Sequence, residues 1–98
     1  MTVVRYHPAA EDELLNEIGY LELRVPGLGR RFYREVQRAE SLIAQFPQSS
    51  PETLPGIRKY NLRKFPFSLI YSIENDCVLI LAVAHHSRTP RYWLPRIS

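Results

Sequence analysis

Apolar side chains in the first half of the chain recur every three or four residues, which is the period of an α-helix with one buried face. The two series are Leu14, Ile18, Leu21 and Val25, and then Phe32, Val36, Ala39, Ile43 and Phe46. Pro26-Gly27 lies between them and is a pair that ends helices. Because the connection is short, we expect the two helices to pack antiparallel as a hairpin.

The second half of the chain changes to the period of two that is typical of β-strands. Residues 57–64 and 65–73 alternate in character, whereas residues 77–84 are apolar throughout. The continuous apolar run predicts a strand that is covered on both faces and is therefore central in the sheet. Asn75-Asp76, just before it, suits a two-residue hairpin turn.

Two further segments complete the expected order of elements. Val3, Val4 and Tyr6 favour a short first strand, and residues 47–56, which contain three prolines, are interpreted as a loop. The order is then β-α-α-β-β-β. Because helices and strands are segregated, the sequence predicts one α+β domain over residues 1–98, with the helical hairpin packed on a mostly antiparallel four-stranded sheet.

Composition narrows the possible classes of protein. No apolar run approaches the roughly 20 residues that span a bilayer, and the N-terminus lacks the apolar core of a signal peptide, so we expect a cytoplasmic protein. Cys77 is the only cysteine, which excludes an internal disulfide and a thiolate metal cluster. There is no Walker loop, Gly-rich dinucleotide turn or zinc-ligand spacing, and neither a metal nor a cofactor is expected.

Charge is distributed unequally along the chain. Residues 1–56 carry six basic and eight acidic side chains, a net charge of −2, whereas residues 57–98 carry seven basic and two acidic ones, a net charge of +5. Since the basic half is also the sheet half, we expect an anionic or acidic partner to dock there. The candidate target-binding residues are Arg58, Lys59, Arg63, Lys64, Arg88 and Arg91.

Histidines and aromatic rings accompany these cations. His85 and His86 end the central strand and point to opposite faces; either could act as a general acid or base near neutral pH, although a structural role is favoured. Tyr92 and Trp93 could stack on bases, but we expect Trp93 to close a small core. The three acids at residues 11–13 are interpreted as favouring the positive end of the helix dipole.

Several short motifs together resemble the toxins of the RelE/ParE superfamily, which are the toxic halves of bacterial type II toxin–antitoxin modules and include plasmid stabilisation proteins. The resemblance covers nearly the whole chain and depends on the order and spacing of its motifs. These are Val4–Leu14, Gly29–Phe32, Phe46-Pro47, Gly56–Arg58, Phe67–Tyr71 and Ala84–Arg88. The resemblance implies the microbial-RNase-like α+β fold, in agreement with the order of elements above.

One branch of this superfamily consists of ribosome-dependent mRNA endonucleases, in which basic side chains on the sheet activate a 2′-OH and hold the phosphate. If the residue roles of that branch are carried over by position, the resemblance implies a metal-independent endoribonuclease. Its candidate catalytic residues would be Arg63, Lys64, His85, Arg88 and Tyr92. Ser68 replaces an arginine of this branch, and losing one such cation lowers a rate by ~10²-fold or more.

The other branch inhibits DNA gyrase by binding and has no recognised catalytic set. The ending His85-x-x-Arg88 is more similar to this branch. The sequence therefore predicts a growth-arresting toxin nearer to ParE, with DNA gyrase as target and a cognate antitoxin that neutralises it. The alternative is a RelE-type endoribonuclease that acts on mRNA at the ribosome, and the second alternative is a non-toxic, degenerate binding module.

Overall fold

The helices and strands follow the predicted order, with one strand more than the sequence predicts. The structure, a computed structural model, describes residues 2–97. Its elements are β1 (Val3–Tyr6), α1 (Pro8–Arg24), α2 (Leu28–Gln45), β2 (Glu52–Leu54), β3 (Ile57–Asn61), β4 (Phe67–Ile73), β5 (Cys77–His85) and a 3₁₀ turn (Leu94–Arg96). The sheet order is β1-β5-β4-β3-β2, in which β1 runs parallel to β5 and all other neighbours are antiparallel. Within residues 2–97, no helix combines the length and apolarity needed to cross a bilayer.

The additional strand is β2, which lies in the segment predicted to be a loop, so the sheet has five strands and not four. It pairs with β3 at only two positions, with a register shift between them. Pro51 and Pro55 flank it on either side. An edge strand of three residues between prolines is too short to show alternation, and this is why its pattern carries no strand signal.

The hairpin turns set the ends of the other strands. Residues 62–66 form the turn between β3 and β4, and Lys64 within it adopts a left-handed φ of 67°. The predicted strands over 57–64 and 65–73 are therefore shorter at this turn. The turn at Asn75-Asp76 is confirmed, because the Glu74 N–H donates to the Cys77 carbonyl at 2.7 Å. β5 has a strand on each side, as its apolar run predicts.

One face of the sheet, here called the helix face, packs against the helical hairpin. Phe32 of α2 is fully buried and makes edge contacts with Phe65 and Phe67, with ring centroids 5.2 and 5.0 Å apart. Val25 and Phe46, which close the two predicted apolar series, are instead exposed, because each is the residue that follows the end of its helix.

The opposite face, here called the outer face, is covered by the chain that follows β5. Trp93 is only 3 % exposed and belongs to a second apolar cluster with Ile70, Leu81 and Ala84. The prediction that Trp93 closes a core is confirmed. The sheet is therefore buried between two layers, as the apolar composition of β5 requires.

The C-terminal layer is held in place by one carboxylate of the first helix, that of Glu13. Its Oε1 accepts hydrogen bonds from Arg96 Nη1 at 2.9 Å and from the Val83 N–H at 3.0 Å. Its Oε2 accepts from the Tyr92 hydroxyl at 2.7 Å and from Arg96 Nη2 at 3.0 Å. The carboxylate therefore joins α1, β5 and the last turn of the chain.

The same ion pair completes the free edge of β5. β1 pairs with β5 only as far as Ile80, so the backbone beyond that point has no strand partner on that side. Glu13 satisfies the Val83 N–H, and Arg96 Nη1 donates to the Leu81 carbonyl at 2.9 Å. Buried backbone groups must find such partners, and here two side chains take the place of a strand.

The two helices come close together at Gly29. A Cβ at this position would lie 2.3 Å from the Ile18 carbonyl oxygen, whereas a Cβ at Gly19 would meet nothing within 4 Å. The Glu22 carboxylate accepts from the N–H groups of Gly27 and Gly29 at 2.7 and 3.0 Å and so fixes the start of α2. The hairpin therefore requires the absence of a side chain at position 29.

We expect Glu13→Gln to lower the free energy of unfolding by about 2 kcal/mol at pH 7, because Arg96 loses its charged partner. Burial acts to raise the pKa of Glu13, but hydrogen bonds from Arg96, Tyr92 and the Val83 N–H outweigh it, so the pKa lies below its usual value. A depressed pKa contributes stability above the unfolded-state pKa of about 4.3, and this stability is lost as the pH falls through the folded-state value. Urea denaturation should therefore show a difference between wild type and variant that closes toward pH 3.

Glu11→Gln is the control for this prediction. Glu11 lies on the same helix but is exposed, and we expect its loss to cost no more than about 0.5 kcal/mol. A difference for Glu13→Gln that stayed constant down to pH 3 would contradict a contribution from the Glu13 charge.

Gly29→Ala and Gly19→Ala should change stability in opposite directions. The added methyl at position 29 meets backbone, and we expect a loss of about 2 kcal/mol. The methyl at position 19 has open space within a helix, and we expect a gain of up to about 1 kcal/mol. Thermal denaturation of both variants tests this, and equal effects would show that the helices do not touch at Gly29.

Candidate basic cleft on the outer face

A cleft of about 200 Å³ opens on the outer face, between the ends of the strands and the C-terminal segment. Its polar lining combines cations, histidines and hydroxyl groups. These are Thr53, Lys59, Ser68, His85, His86, Arg88, Thr89, Arg91 and Tyr92. The cleft therefore gathers Lys59, His85, Arg88, Arg91 and Tyr92 from the residues that the sequence predicts.

Strand alternation and a left-handed turn position two of its cations. Lys59 is exposed on the outer face because its neighbours Arg58 and Tyr60 in β3 point the other way. Arg91 adopts a φ of 60° and its Nη2 lies 3.3 Å from the Thr53 carbonyl oxygen. The sequence pattern predicts the exposure of Lys59, but it does not reveal the turn that brings Arg91 back over β2.

Ser68, in the floor of the cleft, links two neighbouring side chains. Its buried hydroxyl donates to Asn61 Oδ1 at 2.6 Å and lies 2.9 Å from His86 Nε2. The backbone N–H of His86 donates to the Pro66 carbonyl at 2.8 Å, and this bond fixes the backbone that carries the ring. The place where the resemblance to the nuclease branch implies an arginine is therefore taken by the Ser68 hydroxyl, which carries no charge.

His85 also lines the cleft, but its ring turns toward Phe67 on the helix face, as alternation predicts. The His85 ring packs edge-on against Phe67, with centroids 4.9 Å apart. Its Nδ1 accepts from the Ser87 N–H at 3.0 Å and contacts the Ser87 hydroxyl at 2.7 Å. These contacts cap the end of β5, which is the structural role that the sequence favours for a histidine here.

Arg88 and Tyr92 contact each other, and both lie close to Glu13. The Arg88 guanidinium carbon lies 3.7 Å from the centre of the Tyr92 ring, and its Nη1 lies 3.9 Å from Glu13 Oε2. Burial and the hydrogen bond to Glu13 raise the pKa of the Tyr92 hydroxyl far above its usual value. This hydroxyl is therefore not poised to exchange protons near neutral pH, while Arg88 remains half exposed and available to a ligand.

Arg63 and Lys64 lie outside the cleft, on the turn between β3 and β4. They line a separate cavity of about 370 Å³ at the start of α2. We call its lining the turn cluster, which consists of Leu28, Arg31, Arg34, Glu35, Arg63, Lys64 and Phe65. Two arginines of α2, Arg31 and Arg34, join this turn, and no local pattern in the sequence indicates that they do.

Arg58 lies apart from both surfaces. Its Nη1 donates to the carbonyl oxygens of Gln48 and Ser50 at 3.0 and 2.7 Å. As its shared face with Tyr60 predicts, it is partly buried, and it ties the loop after α2 to β3. Its contacts are those of a structural residue.

The residues predicted for catalysis are thus divided between two surfaces. His85, Arg88 and Tyr92 line the outer cleft, whereas Arg63 and Lys64 line the cavity of the turn cluster. Within residues 2–97, no group of three histidine, cysteine or carboxylate side chains could hold a metal ion. The outer cleft combines exposed cations with a polar floor, and this arrangement suits the binding of an anionic or acidic surface.

Comparisons with known proteins agree with this fold. The sequence matches the family described as "ParE toxin of type II toxin-antitoxin system, parDE" over residues 4–90. A solved chain described as "Chromosomal ParDE TA system from P. aeruginosa" is similar with a TM-score of 0.75 and 17% sequence identity, covering 87% of this chain and 96% of that one. No curated protein matches significantly. The structural likeness confirms the RelE/ParE-like fold, and since the family match spans most of the sequence, the chain belongs to the ParE toxin family of type II toxin–antitoxin systems.

Proposed function

We propose that this toxin arrests bacterial growth in the cytoplasm by binding an essential nucleic-acid machine through the outer cleft, with DNA gyrase as the first candidate. A cognate antitoxin neutralises it. Family membership supports the toxin role. The single observation that favours binding over catalysis is the separation of Arg63 and Lys64 from Arg88 and Tyr92.

The contacts inside the outer cleft support the same choice. Phosphoryl chemistry on RNA requires cations aimed at the phosphate and a group free to move a proton. Here Ser68 supplies no charge, and the Tyr92 hydroxyl is engaged by Glu13. Lys59, Arg88 and Arg91 still offer three positive charges to a partner's surface.

One contact favours the alternative of mRNA cleavage on the ribosome. The His86 ring is held 2.9 Å from the Ser68 hydroxyl in the floor of a basic cleft, where an imidazole could act as acid or base. Under this alternative, Arg63→Ala and Arg88→Ala should both relieve toxicity, together with the loss of cleaved mRNA. A non-toxic, degenerate binding module would leave cell growth unaffected.

We expect expression of the chain without its antitoxin to induce the SOS response and filamentation before translation fails. In a purified system, the protein should inhibit supercoiling by DNA gyrase and should leave mRNA intact in a reconstituted translation reaction. Rapid cleavage of mRNA at ribosomes, with supercoiling unaffected, would contradict gyrase as the target and establish the alternative.

Charge reversal in the outer cleft should show whether inhibition depends on this surface or on the charge of the protein as a whole. We expect Lys59→Glu with Arg91→Glu to raise the concentration for half-maximal inhibition of supercoiling about 30-fold, which corresponds to about 2 kcal/mol of binding. The matched control is Arg5→Glu with Arg24→Glu, which changes the net charge equally at exposed positions outside the cleft. Equal loss in both pairs would mean that overall charge, and not the cleft, determines inhibition.

A further inference from the structure

We propose that the turn cluster is a second binding site, separate from the outer cleft, and that it takes an acidic peptide segment carrying an apolar anchor side chain. The cavity of about 370 Å³ lies where the β3–β4 turn meets the start of α2. Its size falls within the range of pockets that enclose a few ligand groups. It shares no lining residue with the outer cleft.

The cations of this site are unpaired. Among residues 2–97, Arg31, Arg34, Arg63 and Lys64 form no ion pair. The one carboxylate in the lining, Glu35, is already occupied. It receives two hydrogen bonds from Arg38, at 2.9 and 2.8 Å, and one from the Arg63 N–H at 2.7 Å.

Four positive charges therefore remain for a ligand. All four are guanidinium or ammonium groups, which bind carboxylates with charge-assisted hydrogen bonds, and each arginine can do so with two parallel bonds. Arg38, on the far side of Glu35, keeps the internal carboxylate from competing with a ligand carboxylate.

The floor of the cavity is apolar. Leu28 and Phe65 are half-buried and line it between the cations. Phe65 is backed by Phe32, with ring centroids 5.2 Å apart. An apolar side chain of a ligand would bury its surface there, as an anchor residue does in a protein interface.

The turn that carries Arg63 and Lys64 is rigidly held before any ligand binds. The Leu62 N–H donates to the Phe67 carbonyl at 2.9 Å, and the Phe67 N–H donates to the Phe65 carbonyl at 2.8 Å. Lys64 keeps a left-handed φ of 67° without being glycine, asparagine or aspartate. Such a backbone is uncommon and concentrates at sites where a side chain must be presented, and a preorganised turn loses little entropy on binding.

The combination of cations with an apolar floor favours a polypeptide over a nucleic acid as the occupant. A phosphate backbone presents charge continuously and favours an extended basic strip. A peptide offers carboxylates and an apolar side chain within a few residues, which matches a cavity where cations surround an apolar floor. If the proposed function holds, the antitoxin supplies this segment and reaches a surface other than the one that contacts the target.

The test uses three labelled peptides of ten residues in a Gly-Ser background and follows fluorescence anisotropy with the full chain. The first carries four Glu and two Leu, the second replaces Glu with Gln, and the third replaces Leu with Ser. We expect the first peptide to bind at least ~10-fold more tightly than either of the others. The second lacks the carboxylates that match the cations, and the third lacks the apolar side chains that match the floor. A 12-nucleotide oligo-deoxythymidine serves as the nucleic-acid probe.

Arg31→Glu with Arg34→Glu should weaken binding of the first peptide at least ~10-fold, whereas Arg5→Glu with Arg24→Glu, which has the same net charge, should change it less than about 2-fold. Circular dichroism checks that each pair folds, and Arg31→Gln with Arg34→Gln replaces the first pair if it does not. No measurable binding to wild type, equal loss in both pairs, or tighter binding of the oligonucleotide that is lost in the first pair would overturn the proposal.

The result of the peptide-binding measurement does not depend on the proposed function. If the chain proved harmless in cells, the function would fail while peptide binding at the turn cluster could still be measured. If the toxin arrests growth, the Arg31→Glu/Arg34→Glu variant should remain toxic alone and lose rescue by the protein encoded in the adjoining reading frame. Full rescue of that variant would overturn the assignment of the antitoxin to this site.

Discussion

The position of the segment that follows β5 depends on the Glu13 carboxylate. A strand that is apolar on both faces needs a cover on each, and the helical hairpin supplies only one. The second cover is the short segment that carries Trp93. The Glu13–Arg96 pair fastens this segment to α1 and at the same time satisfies the edge of β5 beyond β1.

This fastening also determines the character of the outer cleft. By engaging Tyr92 and lying near Arg88, Glu13 holds the segment that forms one wall of the cleft. The other wall is the end of the sheet, where Lys59 is exposed and where Ser68 and His86 contribute to a polar floor. A molecule built in this way presents fixed positive charge on one surface, and the turn cluster presents it on another. Two partners could therefore be accommodated without competing for the same side chains.

Much of this fold follows from local pattern, since helical spacing, strand alternation and the turn at Asn75-Asp76 act over a few residues. The sequence pattern does not predict β2, because three residues are too few to show a period. The sequence does not predict the role of Glu13, for a different reason. Glu13 lies among three acids at a helix start, where the helix dipole is a sufficient local explanation. Its partners Val83 and Arg96 are about 70 to 83 positions away in the sequence. The division of the basic residues into two surfaces likewise depends on a turn at Lys64 that periodicity does not indicate.

We propose that this toxin acts by occupying a partner with its outer cleft. The decisive measurement is hydrogen–deuterium exchange of the chain with and without saturating DNA gyrase. We expect slower exchange in residues 86–93 and in β3 around Lys59, with residues 62–66 unchanged. Exchange that is the same with and without gyrase, or protection confined to residues 62–66, would contradict it.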